Sequence, residues 1–234
     1  MKGNTLYLQK HDKYSSHAKI ASEIRNLSRV SQVKPYAVLD IGCAAGFLRE
    51  FLPATDYVLV GIEGDESLAY QARQTYDDVH LADLNHPLSL ALQPPDVVVL
   101  GDILEHLSDP ETVLTDLLKQ FIKPGTPIII SLPNIAHLYI RISLMLGRFN
   151  YADRGILDRT HLRFFTLKTA KQLCSNCGVR LQSVDTTPIP LPLLHLSFAK
   201  GGILYPLHSL SALLASMFKG LLGYQFILRG VYEP

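Results

Sequence analysis

Four short runs of apolar, largely β-branched residues recur through the first 135 positions and constrain the fold more than any other feature. The runs occupy residues 36–41, 57–62, 95–100 and 126–132. Apolar runs without polar alternation are expected where a strand is covered on both faces, as in a parallel sheet. Helical patterns separate them, as after Asp109-Pro110-Glu111, which offers a cap, a first-turn proline and an acid at the positive end of the helix dipole. This alternation predicts a doubly wound α/β sheet.

Three further elements are predicted outside these runs. A leading helix covers residues 18–31, a second helix covers residues 170–177, and a last strand covers residues 225–231. The second helix carries Cys174 and Cys177 on its apolar stripe. Their C-x-x-C spacing is therefore interpreted as buried packing rather than as a redox pair.

Composition excludes several classes of protein. Hydrophobic residues make up 47% of the 234 positions and charged residues 18%, which excludes a disordered chain. Lysine and arginine (22) nearly balance aspartate and glutamate (21), so no nucleic-acid partner is expected, because such proteins usually carry a basic excess. Three cysteines cannot form a disulfide framework, and the N-terminus is too polar for a secretory signal. We therefore expect a cytoplasmic protein.

The most informative segment is the small-residue turn after the first predicted strand, VLDIGCAAGFL at residues 38–48. Small residues let a ligand lie against the backbone, and a helix that starts there offers unpaired N–H donors. A dinucleotide site would need a small residue where Phe47 stands, and a P-loop would need Gly-Lys-Ser/Thr, which the turn lacks. Asp40, two residues before Gly42, disfavours a pyrophosphate and suits a ligand with a cationic ammonium group. The alternative is a plain tight turn.

This spacing resembles motif I of the class I S-adenosylmethionine-dependent methyltransferases, D-x-G-x-G-x-G, with Ala44 in place of the middle glycine. Further matches follow in order: Glu63 at the end of the second strand, Leu-Ala-Asp-Leu at 81–84, and residues 96–110, which contain an acid, two intervening residues and then Glu-His. The resemblance implies a Rossmann-like, mostly parallel seven-stranded sheet with an antiparallel last strand. It also implies S-adenosyl-L-methionine as the cofactor.

The resemblance assigns cofactor contacts to positions in each motif and before the leading helix. They are Asp40, Gly42, Cys43, Ala44, Gly46, Glu63, Gly64, Asp83, Leu84, Gly101, Asp102, Ile103 and Tyr14. Glu63 is expected to accept hydrogen bonds from both hydroxyls of a ribose, because two carboxylate oxygens match two vicinal O–H donors. The resemblance places Asp83 at the adenine amine and Asp102 at the methionine end.

Three later segments, residues 132–137, 147–151 and 155–166, closely resemble a bacterial methyltransferase subgroup associated with glycan and small-molecule biosynthesis. The resemblance implies a small-molecule or glycan-precursor acceptor, methylated at oxygen by in-line displacement. A histidine would take the hydroxyl proton, and His106 and His161 are predicted as catalytic, with His137 a weaker candidate. A non-catalytic cofactor-binding protein of the same fold is the alternative.

The predicted substrate-binding residues come from the same segments and are Asn134, His137, Tyr151, Asp158 and Arg163. Asp158 and Arg163 flank His161, so they would either orient it or pair with each other.

A metal site is considered at Asp102, Glu105 and His106, whose i, i+3, i+4 spacing places them on one side of a helical turn. Similar sets bind a divalent ion in methyltransferases of quinone biosynthesis. We expect no metal here: Asp102 would serve the cofactor, and Glu105 would make a polar contact.

The chain is expected to form one domain over residues 1–234, with an N-terminal cap helix region (1–34), a cofactor-binding half (35–135), a substrate half (136–185) and an apolar insertion (186–223). In residues 186–218 the only formally charged side chain is Lys200, and four prolines argue against a spanning helix. The insertion is expected to form a hairpin or lid, a homodimer surface or a membrane-surface contact. Only Lys200 and Lys219 offer positive charge, so a lid or dimer surface is favoured.

Overall fold

A seven-stranded sheet with the order β3-β2-β1-β4-β5-β7-β6 organises the chain in the computed structural model, which describes residues 12–234. The strands are β1 Tyr36–Ile41, β2 Tyr57–Glu63, β3 Asp78–Leu81, β4 Val97–Gly101, β5 Pro127–Pro133, β6 Val179–Thr187 and β7 Gln225–Tyr232. The helices are α1 Ser16–Ser31, α2 Glu66–Ala72, α3 Pro110–Phe121, α4 Leu138–Met145, α5 Leu167–Asn176, α6 Leu191–Leu194, α7 Tyr205–Met217 and α8 Lys219–Leu222.

The sheet is mostly parallel. Strands β1 to β5 pair in parallel, and β7 lies antiparallel between β5 and β6. The predicted doubly wound, mostly parallel seven-stranded sheet with an antiparallel last strand is confirmed. Because parallel strands bring their carboxyl ends to one edge, the loops after β1, β2, β4 and β5 meet there.

Both faces of the sheet are covered, which explains why the central strands show no polar alternation. Neighbouring residues Val99 and Leu100 of β4 belong to opposite layers, and each is 1% exposed. Leu100 shares its layer with Leu114 of α3, whereas Val99 shares the other with Ile20 of α1. The core therefore has two apolar layers with the sheet between them.

Local signals predicted helix positions well. The Asp109 side chain accepts a hydrogen bond from the Thr112 amide at 3.2 Å, and Pro110 begins α3. Cys174 in α5 and Cys177 directly after it are buried free thiols, and burial raises the pKa of Cys174 to about 12. The interpretation of the C-x-x-C spacing as packing is confirmed.

Two segments differ from expectation. The glycine turn leads into one 3₁₀ turn, Phe47–Glu50, rather than a longer helix, because Pro53 disfavours helical backbone at the residue before it. The insertion folds as α6, α7 and α8 rather than as a hairpin. Between residues 12 and 234, no helix combines the length and apolar character needed to cross a membrane. The domain boundaries stay a prediction.

Candidate active site

A cavity of about 670 Å³ lies over the carboxyl ends of β1 and β4. Its floor comes from those two strand ends, and other walls come from α1 with the residues before it and from residues 187–194 of the insertion. The volume lies within the range of small-molecule sites. The sequence-predicted residues that line it are Tyr14, Asp40, Gly42, Cys43, Ala44, Gly101, Asp102, His106, Asp158 and His161.

Asp40 is a buried acid at the end of β1, only 5% exposed. The Tyr76 hydroxyl donates a hydrogen bond to its Oδ2 at 2.6 Å. Burial raises the pKa of this carboxyl to about 6, although the Tyr76 bond opposes the shift. Within residues 12–234 no Lys, Arg or His forms an ion pair with Asp40. A cationic ligand group in the cavity would supply that missing partner.

The turn after β1 requires glycine at two positions because the backbone is left-handed and space is short. A Cβ on Gly42, where φ is +72°, would lie 2.7 Å from Cγ1 of Ile103. A Cβ on Gly46, where φ is +80°, would lie 2.7 Å from the hydroxyl oxygen of Thr75. Ile103 therefore supports the turn from outside the cavity lining.

Glu63 supports the same turn. Its Oε2 accepts a hydrogen bond from the Ala44 amide at 2.8 Å, and its Oε1 accepts one from the Asp65 amide at 2.9 Å. Glu63 does not line the cavity, so its ribose contact stays a prediction.

Ala44, which replaces the middle glycine of the motif, adopts a left-handed φ of +48°. This conformation costs a residue with a Cβ about 1–2 kcal/mol. We expect Ala44→Gly to raise the free energy of unfolding by about 1 kcal/mol, since relief of strain exceeds the added entropy of the unfolded glycine. Urea titration would measure it. Ala54→Gly, at an exposed site without positive φ, should give no gain, and equal losses in both variants would contradict the strain.

The predicted adenine end lies outside the cavity. The carboxylate of Asp83 accepts hydrogen bonds from the Asn85 amide and pairs with Nδ1 of His86, each at 2.9 Å. Leu84 is buried in the core, and Gly64 is exposed at the end of β2. Their contacts with the cofactor stay predictions.

Asp102 is fixed by two strands. Ser131 of β5 donates to its Oδ1 at 2.6 Å, and Gln225 of β7 donates to its Oδ2 at 2.9 Å. The sequence reasoning missed both partners. Ser131 is the polar residue within a buried apolar run, which was an available signal, whereas Gln225 comes from a strand 123 positions away.

Two histidines meet at the cavity beside Glu105. The rings of His106 and His161 lie 4.8 Å apart between centroids. Nδ1 of His161 bonds to the Ile156 carbonyl at 3.1 Å, and Nδ1 of His106 to the Thr160 carbonyl at 3.3 Å. Because a carbonyl only accepts, each Nδ1 carries a proton, so Nε2 is the ring nitrogen that can accept one. Burial lowers the pKa of His161, which favours the neutral form.

Glu105 is 1% exposed, and neither carboxylate oxygen has a hydrogen-bond partner among the described residues. Burial raises the pKa of this carboxyl well above its usual range, and the charge of Asp102 adds to the effect. The backbone carbonyl of Glu105, in contrast, accepts from the amides of Leu162 and Arg163 at 2.8 and 3.0 Å. The polar contact expected for the Glu105 side chain is therefore not present.

One ligand atom from each of Glu105, His106 and His161 lies within 4.8 Å of the others, a spacing that one divalent cation can bridge. The set differs from the one considered from sequence: His161 takes the place of Asp102, whose carboxylate is already bonded to Ser131 and Gln225.

Asn134 and His137 hold the backbone rather than face the cavity, so the predicted substrate contacts do not fit their placement. Asn134 is fully buried, and its Nδ2 donates to the Gly223 carbonyl at 2.8 Å. Nδ1 of His137 accepts from the Tyr139 amide at 3.1 Å and caps α4. Burial lowers the pKa of His137.

Of the other predicted substrate residues, one lines the cavity and two do not. Asp158 lines the cavity, with its Oδ1 bonded to the amide and hydroxyl of Thr160. Arg163 donates to the Ser108 carbonyl instead, so the pairing of Asp158 with Arg163, one of the two alternatives considered for them, is not formed. Tyr151 is 49% exposed and lies outside the cavity lining. His161 is oriented by the Ile156 carbonyl rather than by either flanking charge.

His208 is a cavity residue that sequence reasoning missed. It is fully buried in α7, and its Nε2 bonds to Oδ2 of Asp12 at 2.6 Å. The pair joins the insertion to the start of the described chain across 196 positions. No local pattern could have shown this contact.

Comparisons with known proteins agree with this architecture. The model of a family described as a methyltransferase domain matches residues 13–184. A ubiquinone biosynthesis O-methyltransferase from Coxiella burnetii is 27% identical over 156 residues. That match covers 63% of this chain and 64% of the relative, somewhat under two thirds of its length.

Two solved structures show the same fold. A SAM dependent methyltransferase from Archaeoglobus fulgidus superposes with a TM-score of 0.58 at 19% identity, over 98% of this chain and 100% of that one. A magnesium protoporphyrin IX methyltransferase from Synechocystis with bound SAH (S-adenosylhomocysteine) gives 0.63 at 14% identity, over 97% and 88%. Since the family model matches well over half of its length, the chain belongs to the methyltransferase domain family, with the fold of S-adenosylmethionine-dependent enzymes.

Proposed function

We propose that the protein transfers a methyl group from S-adenosylmethionine to a hydroxyl oxygen of a small-molecule acceptor. One observation carries the proposal: a single cavity contains the buried acid and glycine turn of β1 together with the basic Nε2 atoms of His106 and His161. The name of the Coxiella burnetii relative, an O-methyltransferase, supports oxygen as the acceptor atom.

The residues present fit the cofactor. The cavity has room for a nucleoside-sized ligand. Gly42, Cys43 and Ala44 of the turn after β1 form part of the cavity wall. Asp40 provides a buried acceptor without an ion-pair partner among the described residues, suited to an α-ammonium group. S-adenosylmethionine supplies an electrophilic methyl on a sulfonium when bound.

The protein's own contribution is a base and a water-poor wall. Nε2 of His161 accepts the proton of the acceptor hydroxyl, because its Nδ1–H is held by the Ile156 carbonyl. Pro188, Ile189 and Leu193 of the insertion form an apolar wall that limits access of water to the cavity. Asp102 is held in place by Ser131 and Gln225 and needs little reorganisation on binding.

A non-catalytic cofactor-binding protein of this fold is the competing function. It would bind the same ligand without needing an imidazole with an unprotonated nitrogen in the cavity. The fixed tautomers of His106 and His161 favour the enzyme.

The test is direct. Titration calorimetry should detect S-adenosylhomocysteine binding, and labelled methyl donor should pass to at least one acceptor in a panel of catechol, simple phenols, hexoses and primary amines. Transfer to a hydroxyl but not to an amine is expected. Binding without any transfer at millimolar acceptor would favour the non-catalytic protein. Repeating the assay after EDTA treatment, with Mg²⁺ or Zn²⁺ added back, separates a metal role of the Glu105 cluster from a proton-transfer role.

A further inference from the structure

A second feature of the molecule is the distribution of its exposed apolar side chains, most of which are concentrated in two segments and, apart from Leu194, lie outside the cavity lining. Of the 22 large hydrophobic residues exposed among residues 12–234, 17 lie in residues 138–151 and 194–218. We call these the apolar face. Its members are Leu138, Tyr139, Ile142, Leu144, Met145, Leu146, Phe149, Tyr151, Leu194, Leu196, Ile203, Leu207, Leu210, Leu213, Leu214, Met217 and Phe218. Such concentration indicates an interaction surface.

The two segments are neighbours in the fold. Asn134, just before α4, donates to the carbonyls of Gly220 and Gly223 around α8. In α7 the outward positions, such as Leu207, Leu210 and Met217, are exposed, whereas His208 and Ala215 face inward and are fully buried. The exposed stripe of α7 is therefore the outer face of a helix that is already packed against the protein.

Charge is distributed unevenly around this face. Residues 136–224 contain ten lysines and arginines against three aspartates, whereas the rest of the chain contains 12 basic and 18 acidic residues. Arg141 and Arg148 are exposed among the apolar side chains of the first segment, which contains no acid from residue 138 to 151. Lys200 is exposed within the second segment. The two segments of the apolar face together contain three basic side chains, Arg141, Arg148 and Lys200, and no acidic one.

These charges discriminate between occupants. A second copy related by a two-fold axis would bring the same basic surface against itself, which opposes association. Residues that dominate protein interfaces are enriched in tryptophan, tyrosine and arginine, and leucine is under-represented among them, whereas nine of the 17 side chains of this face are leucine. Leucine and phenylalanine bordered by arginine and lysine suit the boundary between headgroups and acyl chains of an anionic bilayer.

We propose that the apolar face docks the protein on the surface of an anionic lipid bilayer. α4 and α7 lie at the level of the headgroups, and Arg141, Arg148 and Lys200 contact lipid phosphates. The sequence had favoured a lid or dimer because the insertion itself offers few cations. The structure adds two exposed arginines, Arg141 in α4 and Arg148 in the loop after it, to the cations of the insertion.

The experiment is flotation of the full chain with vesicles of phosphatidylcholine alone or with 40% phosphatidylglycerol. We expect at least tenfold more protein to float with the anionic vesicles, and 0.5 M NaCl to reduce that fraction strongly. Two double variants test the two segments separately: Met145→Glu/Leu146→Glu and Leu210→Glu/Met217→Glu. Each should lower the floated fraction at least tenfold. Val30→Glu/Val33→Glu adds the same charge at exposed apolar positions outside the face and should float like wild type.

Thermal unfolding and S-adenosylhomocysteine binding identify any variant that has lost its fold. If one double variant of the apolar face is unfolded, the flotation of the other double variant decides the result. Equal flotation with both vesicle types, or equal loss in the control pair, overturns the proposal. The proposal is also overturned if wild type does not float but sediments as a dimer, and if the variants of the apolar face sediment as monomers. Vesicle binding does not require methyl transfer, so it can succeed or fail independently of the proposed function.

Discussion

Replacing Asp40 with asparagine should weaken S-adenosylhomocysteine binding at least tenfold and, at the same time, stabilise the folded protein at neutral pH. The weaker binding follows because asparagine cannot provide the negative partner for an ammonium group, and hydrogen bonds to charged groups contribute about 1.5–3 kcal/mol. The amide oxygen still accepts from the Tyr76 hydroxyl, so the local packing is kept.

The gain in stability follows from the pKa of Asp40. The folded protein raises this pKa from 3.8 to about 6, so the fold prefers the protonated acid. The preference is fully present below about pH 4 and is lost as pH rises through about 6, at a cost of up to about 3 kcal/mol at neutral pH. Asp40→Asn removes that cost.

Urea titrations at pH 4.5 and pH 8 measure the effect. The variant should exceed wild type at pH 8 and show a smaller stability gain at pH 4.5. Asp116→Asn, at an exposed position in α3, serves as the matched control and should change neither stability nor binding. If Asp40→Asn were less stable than wild type at pH 8 while it kept full affinity, Asp40 would be a structural residue alone.

The second large effect is expected at His161. His161→Gln should lower kcat by about 10²- to 10⁴-fold, the usual contribution of a general base, with S-adenosylhomocysteine affinity within about threefold of wild type. His106→Gln should cost less, because its ring is less buried and its Nδ1 bond to Thr160 is longer. Burial lowers the pKa of His161, so wild-type kcat should fall on acidification only below about pH 6.5.

His80→Gln, on β3 and outside the cavity, is the control for loss of a histidine. Partial recovery of His161→Ala by added imidazole would distinguish a base from a packing residue. Equal loss of kcat and cofactor affinity in His161→Gln would assign the residue to the structure of the cavity instead.

The fold could be predicted largely from sequence because its determinants are local. The apolar runs of β1, β2, β4 and β5 become strands buried on both faces, and Asp109 caps α3 as its spacing indicates. The turn around Gly42 was also recognisable, since the conformation it needs restricts the residue type.

The acceptor side was less predictable because its contacts join distant parts of the chain. Asn134 has a polar side chain of the kind that binds substrates. Its Nδ2, however, donates hydrogen bonds to the backbone carbonyls of Gly220 and Gly223 around α8, 86 and 89 positions away. Arg163 is two residues from His161, yet it bonds to Ser108. The partner of a polar side chain depends on tertiary packing, which a local pattern does not contain.

The two hydrogen bonds accepted by the Glu105 backbone carbonyl restrict the relative motion of two loops at the cavity. The amides of Leu162 and Arg163 both donate hydrogen bonds to that one oxygen, and the Arg163 side chain also donates to the Ser108 carbonyl. These bonds join the loop after β4 to the loop that carries His161. Neither amide can exchange its hydrogen with solvent until this junction separates. The rate of deuterium uptake at the amides of residues 162 and 163 therefore reports how often the two histidine-bearing loops separate.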